Sequence, residues 1–589
     1  MFAARNEYIT GVGAVLVMGT GTLTKLLNKR DYTVDEATVL SHFFTNLDRN
    51  VYAATDNMPS TLWAFLVGQY SRSALSMRDR FLQTFDDMEK KHSKGDIPED
   101  AYVPLPKMAA QIRASGSVNM AFFLEKSADF LKKWGVAFGH ASLKDADVVR
   151  AAVEGVSQRF TKVIENPDPE LGAYEEKSTR YVPFTKDDVI VPPRLRASRF
   201  GDRVVANNLA LMEAYAAVAG PIDEFLKSRI FDRAQFKRED AFVKTVNAKS
   251  FDIRRYWLPL GLATSLGCSF PTRVAEIHLS QMLGHPHEEA RLIAQSLKEE
   301  WVKLTPGLLT HVGERPYFRD TPPAMYQLAR ELLGAAEKPY YIGDKNAPRV
   351  NLVSHTPDLE NVLLASVLYE YADGRDFNSL LGQARQFTDE QKDRVFGEYL
   401  SRRDKHDLMM WGLKVGRFIF DCVIDNGAFR DVQRQRATIQ LNQRFTADEG
   451  YAYPEFVEDE PELRAVKEGF DGLMRQTSEL YREVASEFPD DAEYLPAMAH
   501  YHRFLYDFHP RQGQYMVELR TTPAGHHSYR TFYQEMWRVM NDVVPRFAKH
   551  VKVDFTESTE GRKSQEERAA ERREQIAAEE RAKAGGASQ

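Results

Sequence analysis

Two distant segments of the chain resemble each other, and that internal likeness limits its architecture more than any single motif does. "WLPLGLATSLGCSFPTRVAEIHLSQMLGHPHEEARLIAQ" runs from Trp257, and "PAMAHYHRFLYDFHPRQGQYMVELRTTPAGHHSYRTFYQ" runs from Pro496. Each has an apolar lead-in, an arginine just after a proline (Arg273, Arg511), an amphipathic stretch and a Gly-His pair (Gly284-His285, Gly525-His526). Similarity at such a distance predicts one structural unit used twice. At 589 residues the chain is also too long for a single hydrophobic core. The expected division is an N-terminal repeat over 1–335, a C-terminal repeat over 336–556, and a charged tail over 557–589 that is disordered or a frayed helix.

Local patterns predict a mixed α/β (α+β) class in which helices dominate. "EATVLSHFFTNL", "NNLALMEAYAAVAG", "DLENVLLASVLYEYADG" and "GLMRQTSELYREVASEF" carry apolar residues at helical spacing. Strand signals are shorter, in "DVIVPPR" and "APRVNLVSH". Residues Glu314 to Arg349 are rich in turn formers and read as the junction between repeats. No run approaches the roughly 18 apolar residues of a spanning helix, and "GVGAVLVM" lacks the flanks of a secretory signal, so a cytoplasmic protein without membrane contact is expected. Cys268 and Cys422, far apart, form neither a disulfide framework nor a zinc cluster. A net charge of −7 argues against nucleic acid as a partner. Any anion site must then be built locally from placed arginines.

Three groups of residues suggest such a site. In "YEEKSTRYVPF" an extended backbone would project Glu176, Ser178 and Arg180 together, with Arg and Ser suited to an oxyanion and Glu to an amide or imide N–H. In "FRDVQRQRATIQLNQRF" an extended backbone would aim Arg434 and Arg436 at one anion, the planar guanidinium suiting phosphate. In "HPRQGQYMVELRTTPAGHH" Pro510 opens a helix bracketed by Arg511 and Arg520. Surface strands, solvated basic faces and helix-end salt bridges are the competing explanations for each. His285 with His287, and His526 with His527, lack a third ligand at a recognised spacing, so no metal is expected. "GVGAVLVMGTG" lacks the order of a dinucleotide fingerprint.

Together these segments resemble the flavin-dependent thymidylate synthases, and most closely the long, tandemly duplicated form. That family carries an Arg-His-Arg triplet followed by Ser-x-Asn-Glu-x-Ser-x-Arg-Tyr, and here the signature is split between the halves. "AYEEKSTRY" matches its second portion, with Glu176, Ser178, Arg180 and Tyr181 in register, while "ENPDPELG" stands at the triplet's place. "QRQRATIQLNQRF" matches its first portion, with Arg434 and Arg436 kept and Gln435 in place of histidine. "RQGQYMVELR" through His526 is similar to the flavin-binding helix, with Arg511, Arg520 and His526. "RRYWLPLGL" places Arg255 at a nucleotide-binding position, and Met282 falls where Arg520 lies in the other copy. "GHASLKDAD" is similar to a flavin-contacting segment and offers Ser142 and Asp145.

The resemblance implies two tandem copies of an α/β domain with long helices, using FAD reduced by NADPH, and methylenetetrahydrofolate, to methylate dUMP. Family members are homotetramers, so a homodimer of this chain would be a pseudo-tetramer. It implies Ser178 and Arg434 as catalytic residues, Ser178 orienting or polarising rather than attacking. Substrate would be bound by Glu176, Ser178, Arg180, Arg255, Arg434 and Arg520. Flavin would be bound by Arg434, Gln435, Arg436, Arg511, Arg520, His526, Ser142 and Asp145. Each half lacks part of the signature, so the expected site is a composite of both. A non-catalytic flavin- or nucleotide-binding homologue, or a structural duplicated scaffold, are the alternatives, because Gln435 cannot carry charge as histidine can.

Overall fold

The computed structural model describes residues 31–58, 73–95, 104–115, 147–168, 171–305, 308–334, 349–404 and 406–556, with a few isolated positions elsewhere. Most of the expected tail and of "GVGAVLVMGTG", and Ser142 and Asp145, lie outside the described residues.

Two four-stranded sheets carry the architecture. The first contains β1 (Val51–Ala53), β2 (Val148–Ser157), β3 (Ala173–Glu176) and β4 (Ala263–Pro271), in the spatial order β1-β2-β4-β3. The second contains β5 (Val350–His355), β6 (Phe418–Asp425), β7 (Thr438–Asn442) and β8 (Tyr501–Phe508), in the order β5-β6-β8-β7. Both sheets are antiparallel throughout, with the same connectivity. In each, the second strand runs into a short helix, α1 (Gln158–Ile164) after β2 and α4 (Asn426–Val432) after β6. In each, the long central strand runs into a helix pair. These are α2 (Thr272–Leu283) and α3 (Glu288–Leu304) after β4, and α5 (Pro510–Arg520) and α6 (His527–Val543) after β8. The chain is therefore a mixed α/β structure built from two copies of one topology.

Sequence dictates these switches locally. "FIFDCVID" in β6 alternates buried and half-buried residues over its first half, as a strand's two-residue period requires. Asp425 then ends the strand by accepting from Ala428 N at 2.8 Å, an N-cap of the kind worth about 1 kcal/mol. Ser157 does the same for α1, accepting from Phe160 N at 2.9 Å.

The two copies meet along a pseudo-twofold axis. Pro259 and Ala497 face each other in an isolated antiparallel bridge. On either side, Leu260 N donates to Pro496 O (2.8 Å) and Met498 N to Leu258 O (2.8 Å). Next outward, Gly261 N donates to Tyr494 O (2.8 Å) and Ala499 N to Tyr256 O (3.2 Å). Gly261 permits that approach, since a Cβ there would lie 2.6 Å from Ile190 O and 3.0 Å from Tyr494 O. Around this seam one core draws on both halves, with Trp257 fully buried and its ring centroid 4.7 Å from that of Phe470. Burying a side chain of that size contributes more than the roughly 1.5–3 kcal/mol of a leucine, which ties the halves firmly.

Three local expectations are corrected. The segment read as a turn-rich junction begins instead as a helix, Pro316–Leu333, carried through Pro322 and Pro323. Pro316 sits in its first turn, where a missing N–H costs nothing, and Gly334 ends it at φ 72°. Second, the strand at "YEEKSTRY" stops at Glu176: Ser178 O accepts from both Tyr181 N (3.2 Å) and Val182 N (3.1 Å), so the chain turns. Third, Arg434 and Arg436 are not on an extended strand. They lie in the turn after α4, where Ala437 adopts φ 59° to lead into β7.

Candidate functional site

The end of β3, the turn after it and the last turn of α4 converge on a cleft of about 200 Å³. From the first half it is lined by Glu175, Glu176, Ser178, Thr179, Arg180, Tyr181 and Arg255; from the second, by Arg430, Asp431, Arg434, Arg520 and Tyr529. Five arginines face three carboxylates, so this cleft is locally cationic on a chain whose net charge is negative.

The arginines differ in how firmly the protein already holds them. Arg430 spans the halves: Nη1 donates to Thr179 Oγ1 (2.7 Å), Nη2 donates to Lys177 O (3.1 Å), and Nη2 lies 3.0 Å from Glu176. Arg180 grips Asp252 through both carboxylate oxygens. Arg520 donates Nη1 to Asp431 Oδ1 (2.8 Å) and Nη2 to Asp431 O (3.1 Å), and its guanidinium lies 5.3 Å from the centre of the Tyr529 ring. With its amide oxygen turned toward Arg520, Gln435 also accepts from Arg520 Nε (3.0 Å) and Nη2 (3.1 Å). These three arginines are structural members of the wall.

Arg255 and Arg434 are different. Arg255 is 2% exposed, yet its Nε and Nη2 have no hydrogen-bond partner. A buried guanidinium left this way is costly unless an anion completes it. Arg434 sits loosely among Glu176 (3.7 Å), Glu175 (3.8 Å) and Glu165 (4.0 Å), with Nε unpartnered. These two are the donors available to a ligand.

The acceptors are tuned to match. Burial works to raise the Glu176 pKa, but Arg430, Lys162 and Arg434 outweigh it and hold the carboxyl below its ordinary value. Asp431 is likewise kept ionised against burial by Arg520, Arg255, Arg434 and Arg180. Ser178 Oγ accepts from Arg180 N (3.3 Å), which leaves its proton free to be donated. His526 caps α6, lies nearly parallel to Tyr256 with ring centroids 5.8 Å apart, and is pushed well down in pKa by burial and then by Arg255 and Arg180. It is a neutral imidazole beside the cationic wall.

Glu176, Ser178, Arg180, Arg255, Arg434 and Arg520, singled out from sequence, thus line one cleft, with Gln435 and His526 directly behind it. Arg436 is exposed and does not line it. Arg511, at the first turn of α5, is at the opposite end of that helix from Arg520 and also lies outside the lining. Sequence reasoning missed Arg430, in the last turn of α4 and only four residues before Arg434. It also missed Asp431, Tyr529 and the buried pair Lys162 and Glu165, whose Nζ and both carboxylate oxygens are unpartnered below Arg434. Cys268 and Cys422 are both buried in strands, and burial pushes the Cys268 thiol up to about 12, which leaves no thiolate nucleophile there. Among the described residues no group of His, Cys, Asp and Glu converges on a metal position, and no helix is long and apolar enough to cross a membrane.

Comparison with known proteins accords with this geometry. A UPF0159 protein of Chlamydia pneumoniae is 28% identical over 553 residues, covering 92% of this chain and 98% of the relative. A UPF0159 protein of Chlamydia muridarum is 27% identical over 555 residues, covering 92% and 99%. The Thermoplasma acidophilum UPF0159 protein is 24% identical over 484 residues, covering 75% and 92%. The family model described as thymidylate synthase complementing protein matches twice, over residues 82–307 and 351–546, one match for each sheet's central strands and helix pair. The chain therefore belongs to the thymidylate synthase complementing family, the flavin-dependent thymidylate synthases, in a long form that carries the domain twice.

Proposed function

We propose that this chain methylates dUMP to dTMP, with methylenetetrahydrofolate as carbon donor and FAD reduced by NADPH, in the composite cleft between two repeats spanning 1–335 and 336–556. The observation that carries the reading is Arg255, a fully buried guanidinium with two unpartnered donors in a cleft assembled from both halves of the split signature. Arg255 and Arg434 take the nucleotide phosphate, and Arg180, fixed by Asp252, adds charge beside them. Glu176 stays ionised and accepts the uracil N3–H; the Ser178 hydroxyl donates to a pyrimidine oxygen, orienting and polarising the ring.

The donor set behind this position fits a phosphate-bearing flavin. Arg434, Gln435 and Arg520 lie together and neutral His526 sits by Arg255 and Arg180, whereas Arg436 and Arg511 would reach such a ligand only from outside the cleft. When bound, reduced FAD supplies the hydride equivalent that turns a transferred methylene into a methyl group. Gln435 meets the requirement that Arg520 be held, since its carbonyl accepts from two of that guanidinium's nitrogens without charge. The protein would work in the cytoplasm as a homodimer equivalent to a family tetramer.

The test is direct. Purified chain supplied with dUMP, methylenetetrahydrofolate, NADPH and FAD should form dTMP, and the gene should rescue a thymidine-requiring bacterium. Flavin binding without dTMP would replace this reading with a non-catalytic binder, and absence of both would leave only a scaffold.

A further inference from the structure

The pseudo-twofold axis defines a second position equivalent to the cleft, and the protein fills it with its own side chains. The equivalence is geometric. Gly427 N donates to Met498 O (2.9 Å) just as Arg159 N donates to Leu260 O (2.8 Å), so Gly427 and Arg159 correspond. Ser528 donates to the N-cap carboxylate of Asp425; across the axis the roles exchange, and the N-cap Ser157 donates to Glu289. Tyr256 lies beside Ser528, and the Tyr494 hydroxyl donates to Glu289 (2.7 Å). The residue preceding each tyrosine is then the equivalent pair: Arg255 on one side, Glu493 on the other.

The framework is thus retained while the ligand-facing groups are replaced. Where Arg255 waits in the cleft, Glu493 is 2% exposed and saturated: Arg159 Nε lies 2.8 Å away, Phe445 N donates at 3.1 Å, and His287 Nε2 lies at 3.4 Å. Where Gly427 leaves space, Arg159 fills it, its guanidinium 4.8 Å from the centre of the Phe445 ring. Phe445 in turn stacks on His502 with centroids 3.9 Å apart. The strand register sets Asn442 opposite Phe504 as it sets Glu176 opposite Leu266, so an amide, held 2.9 Å from His502 Nε2, stands where the cleft has its carboxylate.

We propose that this counterpart has become an internal lock and that each chain presents one nucleotide-monophosphate site. Arg159 and Glu493, from opposite halves, close the second position with a buried ion pair whose carboxylate would repel a phosphate and already balances the Arg159 charge. The stoichiometric half of the proposal rests on the reading of the cleft as the dUMP site, whereas the lock itself does not.

Calorimetric titration of the full chain with dUMP should give one site per chain. Arg255→Ala should weaken that binding at least about tenfold. Arg159→Ala should leave affinity within about twofold but lower the melting temperature by several degrees, as removal of one partner of a buried pair does. Two dUMP molecules per chain, or a loss of binding in Arg159→Ala equal to that in Arg255→Ala, would overturn the proposal. If the wild-type chain bound no dUMP, the functional reading would fall while the lock would still be judged by unfolding: unchanged melting in both Arg159→Ala and Glu493→Gln would refute it.

Discussion

Gly427 holds open the space beside Arg255: a Cβ there would lie 3.3 Å from Arg255 Nε and 3.1 Å from the Asp425 carboxylate. Gly427→Ala should therefore crowd a guanidinium whose Nε and Nη2 donors are free. Alanine is the better helix former by about 1 kcal/mol, so stability should hold or rise slightly. Affinity for dUMP should fall about tenfold, equivalent to about 1.4 kcal/mol, in calorimetric titration. Unchanged affinity would mean that Arg255 does not contact the ligand.

Arg520 serves Asp431 and Gln435 at once, and only a planar fork reaches both. Arg520→Ala should release FAD from the chain on a sizing column, and Arg520→Lys should restore little of the retention, because a lysine offers one point charge. Full retention in the alanine variant would separate Arg520 from the flavin position. Full rescue by lysine would mean that charge alone matters there.

Much of this cleft was legible because its residues are local in sequence even where their geometry was not. Glu176, Ser178 and Arg180 were grouped by assuming a strand; the chain turns at Ser178, yet four residues of a turn still share one cleft. The same assumption failed for Arg436, which lies exposed in the turn between α4 and β7 rather than on an extended strand. The duplicated topology was anticipated from the two related segments, and the sheets carry it. Lys162 and Glu165 could not be found this way, since charged residues in the last turn and C-cap of a short helix normally face solvent, and here α1 packs against the end of α4. Nor did the sequence show that Arg255 and Glu493 are counterparts, because the axis relating them exists only once the bridge at Pro259 and Ala497 has formed.

Burial, the largest influence on both, drives Glu165 up from its ordinary 4.5 to about 7 and Lys162 down from 10.5 to about 7. The signs give separate windows. Between pH 4.5 and 7 the folded chain holds a proton on Glu165 that the unfolded chain has lost, so this group's contribution to stability falls as pH rises. Between pH 7 and 10.5 the unfolded chain holds a proton on Lys162 that the folded chain has lost, so stability rises with pH. Melting temperature against pH should dip near neutrality. Glu165→Gln should remove the acid-side decline, and Lys162→Met the alkaline-side rise. A wild-type profile flat through pH 7, or variants that leave both slopes intact, would show that the pair does not titrate there.

Arg430 and Glu176 form a deeply buried ion pair between the halves, 3.0 Å apart with the carboxylate fully enclosed. Desolvation offsets most of what such a pair gains, so its removal as a unit is cheap while the loss of one partner is not. Arg430→Met alone leaves Glu176 with Gln158 and a loosely placed Arg434, and should cost about 3–5 kcal/mol in urea unfolding. Adding Glu176→Gln replaces the stranded carboxylate with an amide that Gln158 can still approach, and should recover part of that loss. The coupling expected between two residues in contact is about 0.5–3 kcal/mol. Costs that simply add, within about 0.5 kcal/mol, would show that the two charges are satisfied independently. The cleft's cross-half assembly would then rest on the apolar seam around Trp257 rather than on its arginines.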